Sequence, residues 1–106
     1  MRTMRESDWK LLSRLKPLAL DRLCQRILSQ IAELASSPDS SHDRYLAIFR
    51  LIAERDREIA LCFNGLSRSK VVERLIAIRA LDLISDEEFA GFSEETQTMV
   101  NRLRAI

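Results

Sequence analysis

Apolar residues recur every three or four positions along almost the whole of this chain, and that period belongs to helices. Leu20, Cys24, Ile27, Ile31 and Leu34 are spaced four, three, four, three, a heptad seam that Leu23 and Leu28 widen. No segment alternates with the period of two that a strand requires. Two Gly and two Pro among 106 residues are too few for the tight turns of a sandwich or barrel. With 46% apolar and 31% charged residues, the chain has material for one core and is not disordered by composition. The expectation is a single all-α domain over residues 1–106, a compact bundle of about four principal helices with two short helical segments.

Local signals place the pieces. Ser7 or Asp8 can cap a short first helix with Trp9, Leu12 and Leu15 on one face. Pro17 disfavours helical geometry at Lys16 and suits a first turn, which predicts a kink and a second helix over residues 17–35. Residues 36–41, Ser-Ser-Pro-Asp-Ser-Ser, are all turn formers, and so short a loop joins antiparallel neighbours. Ser41 or Asp43 can cap the next helix, which runs to about Phe63 and stops at Asn64-Gly65. Ser67 or Ser69 opens a helix with Val72, Leu75, Ile76, Ala80 and Leu83 inward. Ser85 and Glu88 have the spacing of a capping box ahead of Phe89. Gly91 ends that turn, and Ser93 opens a last helix with Met99, Val100, Leu103 and Ile106 on its face.

Charge narrows the function classes. Seventeen basic and sixteen acidic side chains leave +1, which is no signature of nucleic-acid binding. Residues 1–35 hold seven basic and four acidic groups, whereas residues 85–106 hold two and five, so the two ends differ in sign. Fourteen of the seventeen cations are Arg, and codon usage in a GC-rich genome is explanation enough. No apolar leader is visible, and the longest apolar stretch, interrupted by Arg50, is too short to span a bilayer. A cytoplasmic protein is expected, with Cys24 and Cys62 reduced and packed as small hydrophobes. One His, His42, excludes the usual Glu-x-x-His carboxylate bundle and argues against a His-based triad, and it reads as an exposed neighbour of a helix start. No metal, cofactor or catalytic set is expected.

Three groups of residues stand out. Tyr45-Leu-Ala-Ile-Phe-Arg-Leu-Ile-Ala has one polar residue in nine, so its helix is either the centre of the bundle or part of a subunit interface. Trp9, Tyr45, Phe49 and Ile52 are the candidate interface residues. Asp56 is the second. Its neighbours three and four positions away, Ile52, Ala53, Ile59 and Ala60, are all apolar, so it has no partner on its own helix. A buried ion pair with an Arg from another helix, Arg79 or Arg26, is the structural reading, and a ligand-binding or catalytic carboxylate is the functional one. The third group is Arg68, Lys70 and Arg74 at a helix start, which can meet an anion or open the second helix of a helix-turn-helix.

The segments beginning Asp43-Arg-Tyr-Leu-Ala-Ile-Phe and Leu83-Ile-Ser-Asp-Glu-Glu-Phe resemble a group of short, uncharacterised bacterial helical proteins, over about residues 9–100. That resemblance implies an all-helical fold and carries no activity. Residues 75–89 are also similar to the short C-terminal oligomerisation domain known as SHOCT. That domain usually has Gly where this chain has Asp82, and it is normally terminal, whereas a further helix follows here. We read the likeness as local helix-capping grammar. The function expected is that of a non-enzymatic module acting through protein–protein association, most simply as a homodimer, with another protein partner possible and no membrane. The alternative is a nucleic-acid-binding regulator that uses the Arg-rich N-terminal third with Arg68, Lys70 and Arg74.

Overall fold

The computed structural model describes residues 5–65 and 70–104. Helix makes up 82% of it, with no strand among the described residues, so the fold class is all-α. The helices are α1 (Glu6–Ala35), α2 (Ser41–Phe63), α3 (Val71–Ala80), α4 (Asp86–Phe89) and α5 (Glu94–Arg104).

α1 and α2 form a long antiparallel hairpin. Its turn is set by Ser40, whose side chain accepts the backbone N–H of Asp43 at 3.1 Å. Ser40 therefore caps α2, one residue before the earliest cap the sequence suggests. At the other end α2 stops after Phe63, with Gly65 at φ +62° in the left-handed region that Gly enters without strain.

Pro17 does not divide α1, contrary to expectation, and the helix runs through it for 30 residues. Pro17 lies on the exposed side between the buried Leu15 and Ala19. Ser13, whose carbonyl would receive the missing N–H, is also exposed, so water can serve it. Burial of the residues on both sides outweighs the lost hydrogen bond. The buried stripe of α1 is Leu12, Leu15, Ala19, Leu23 and Ile27. Of the heptad seam only Ile27 is buried; Leu20, Cys24, Ile31 and Leu34 are half-buried.

That stripe ends at Ile27, two turns short of the hairpin turn, because α3, α4 and α5 pack toward the start of α1. Val71, Leu75 and Ile78 of α3 join Leu83, Ile84, Phe89, Phe92 and Val100 in the same core. The molecule is accordingly elongated, 51 × 26 × 25 Å, with a five-helix body and a two-helix extension. α2 is not the wrapped centre of a bundle. Only Cys62 and Phe63, where it enters the body, are buried.

Arg side chains finish the helix ends, where carbonyls lack partners. Arg44 of α2 donates to the Ala35 carbonyl at the end of α1, 2.6 Å, and Arg74 of α3 to the Leu61 carbonyl near the end of α2, 2.7 Å. Beyond α3, Arg26 reaches the carbonyls of Leu81 and Asp82, both at 2.6 Å, and Arg22 reaches that of Leu83 at 2.8 Å. Arg abundance thus has a structural use at particular positions, because one planar fork can serve two acceptors.

Candidate interaction surface

Along the extension α2 has one helical neighbour, and one neighbour cannot cover a helix that is apolar around most of its circumference. Tyr45, Phe49 and Ile52 share one face and are 62%, 61% and 49% exposed. Leu28 of α1, 64% exposed, lies beside Ile52. Between the two helices is an apolar groove of about 210 Å³ lined by Cys24, Leu28, Ile52, Asp56 and Ile59. Arg55 borders it and is held by Gln30 of α1 at 3.3 Å and by Glu58. His42 stacks on Tyr45, with ring centroids 6.5 Å apart.

Three of the four candidate interface residues therefore share a surface, and Trp9 does not join them. Trp9 is half-buried and packs on the body core, 19 residues from Leu28 and so about 28 Å away along α1.

The expected Asp56–Arg79 pair is not formed. Asp56 is exposed and makes no hydrogen bond or ion pair with any described residue. Arg79 instead pairs with Asp86 at 3.0 Å, donates to the Ile84 carbonyl at 3.3 Å and lies over the Phe89 ring, 4.4 Å from its centroid. The cause is helical phase. Leu51, Arg55 and Glu58 are partly covered and lead to the buried Cys62, so the covered face of α2 runs through Arg55. Asp56 is one residue on, turned about 100° toward solvent.

The proposed nucleic-acid contacts fall partly within the described residues. Arg68 lies outside the described residues. Lys70 is exposed, and Arg74 is committed to the Leu61 carbonyl. The opposite charges of the two chain ends meet partly within one molecule, where Arg5 approaches Glu95 at 3.6 Å.

The buried carboxylate of this protein is Asp8, 2% exposed. It accepts the Ser93 backbone N–H at 2.8 Å, the Ser93 hydroxyl at 2.7 Å and the Thr96 hydroxyl at 2.7 Å. Burial alone would raise its pKa; the hydrogen bonds from Ser93 and Thr96, helped by Arg5, overcome that and hold it below the ordinary value. Sequence reading assigns Asp8 to the start of its own helix. The available signal was at α5, where Ser93 is followed three residues later by Thr96 and not by the Glu or Gln of a capping box. Asp8 supplies the missing acid from another helix.

Glu88 carries the second strong polar contact. The expected capping box with Ser85 is present, and the same carboxylate takes both ends of the Arg22 fork at 2.7 and 3.1 Å. The Arg22 bond, then the Ser85 backbone N–H, lower its pKa to about 2. Cys62 is fully buried, and burial, with Glu58 nearby, pushes its thiol up to about 11. Asp8 and Glu88 join helices. No protein-family model, curated protein or solved structure matches the chain. No described helix is long and apolar enough to cross a membrane.

Proposed function

We propose that this chain is a non-enzymatic helical module of the cytoplasm that acts through protein–protein association, most simply as a homodimer. The observation that carries the reading is the exposed apolar face of the extension, Leu28, Tyr45, Phe49 and Ile52. Together these side chains leave on the order of 400 Å² of apolar surface in water, the size of the largest patch on an ordinary monomer, which is often a functional one. The two strong polar contacts support the same reading, since the buried Asp8 and the half-buried Glu88 are both used in joining helices. The near-neutral charge and the engagement of Arg74 weigh against nucleic acid as the partner.

Light scattering over a dilution series tests the proposal. A mass near twice 12.3 kDa is expected at high concentration, with Phe49→Glu shifting the protein to monomer. A mass near 12.3 kDa at every concentration would overturn it.

A further inference from the structure

We infer that the second copy docks antiparallel on the same face of α2, and that Tyr45 of each copy donates its hydroxyl to the Asp56 carboxylate of the other. This rests on the association reading and gives it a register.

The exposed face of α2 reads Tyr45, Phe49, Ile52, Asp56. Its spacings are four, three and four, which are the same in both directions. Two such helices related by a two-fold axis between residues 50 and 51 bring Phe49 of one against Ile52 of the other. The same operation sets Tyr45 opposite Asp56, twice. The middle of the contact is apolar and each end is a phenol facing a carboxylate, a short charge-assisted pairing. An isologous contact needs this self-complementarity.

Asp56 gives the independent argument. It is a carboxylate without a partner among the described residues, flanked by Ile52, Ala53, Ile59 and Ala60 and beside an apolar groove. In a parallel arrangement the two Asp56 carboxylates would face each other and repel. The antiparallel arrangement gives each an O–H donor. Tyr45 and Asp56 of a single chain are 11 residues apart, about 16 Å along the helix, and cannot meet. Leu28 of each copy adjoins Ile52 and extends the contact across the groove. The apolar side chains of two copies together offer roughly 800 Å², most of the roughly 1,000 Å² that an interface between two proteins should clear.

A charge exchange tests the register by sedimentation equilibrium at low ionic strength, where charge effects are least screened. Both positions are exposed, so the variants keep the fold, and far-UV circular dichroism checks this. Tyr45→Glu places two carboxylates opposite each other and is expected to weaken the dimer roughly tenfold or more. Adding Asp56→Lys to Tyr45→Glu restores opposite charges and is expected to recover most of that loss. A wild-type protein that is monomeric throughout overturns both the association reading and the register. A wild-type dimer that Tyr45→Glu leaves unweakened, or that the double variant fails to tighten relative to Tyr45→Glu, overturns the register alone.

Discussion

Ser93 donates both its backbone N–H and its hydroxyl to the carboxylate of Asp8, 85 positions earlier in the chain. The bond joins the first turn of α1 to the first turn of α5. It therefore closes the body on itself, and it puts negative charge where two helix N-termini favour it.

Asp8→Ala should lower stability by about 2–3 kcal/mol, because the Ser93 N–H and the Thr96 hydroxyl lose a buried acceptor. Urea midpoints of Asp8→Ala, Ser93→Ala and the double variant measure the effect. Strict additivity would mean that the two residues do not act together.

Acid should weaken the fold between about pH 4.5 and pH 2. Glu88 is held at about 2 against an ordinary 4.5, so its contribution is complete above the higher value and disappears as pH falls through the lower. Asp8, also depressed, acts in the same direction. Thermal midpoints of the wild type and Glu88→Gln should converge as pH falls through this range. A constant difference would show that the Arg22 contact does not depend on the charge of Glu88.

Asp82→Gly should stabilise the protein. Asp82 follows α3 at φ +56°, with its N–H on the Arg79 carbonyl and the Leu83 N–H on that of Ile78, the pattern of a Schellman stop. An L-residue is strained there and Gly is not, so a gain of about 0.5–1 kcal/mol is expected, or a few degrees in Tm. A lower Tm would show that the Asp82 side chain offsets its own strain.

The two thiols should differ in reactivity. Cys24 is half-buried at the groove, whereas Cys62 is fully buried with its pKa raised to about 11. In native protein at neutral pH a thiol reagent should label Cys24 well before Cys62, which reacts on unfolding. Equal rates would indicate that the root of the hairpin opens readily.

The all-α class, the hairpin turn, the stop at Gly65 and the Ser85–Glu88 box are legible in the sequence because each depends on residues within a few positions. Asp8 is not, since its partners lie more than 80 positions away. The phase of α2 is equally hidden. Arg55 and Asp56 both sit in the charged run 54–58, and a rotation of one residue decides which is covered. Pro17 misleads for the opposite reason: its local signal is real, but burial of Leu15 and Ala19 overrides it. The interface candidates divide along the same line. Tyr45, Phe49 and Ile52 follow from periodicity, whereas the position of Trp9 depends on how distant helices assemble into the core beside it.

The 30 residues of α1 make a rod about 45 Å long. Asp8 pins α5 beside the start of that rod, while the 36–40 turn lies at its far tip. The start of the described chain therefore lies at one pole of the molecule, and Tyr45 is at the other. A fluorophore or a fused domain attached at the start of α1 would sit clear of the Tyr45 face. In a pair joined through that face, α1 would act as a spacer, holding whatever the two chains carry at opposite extremes.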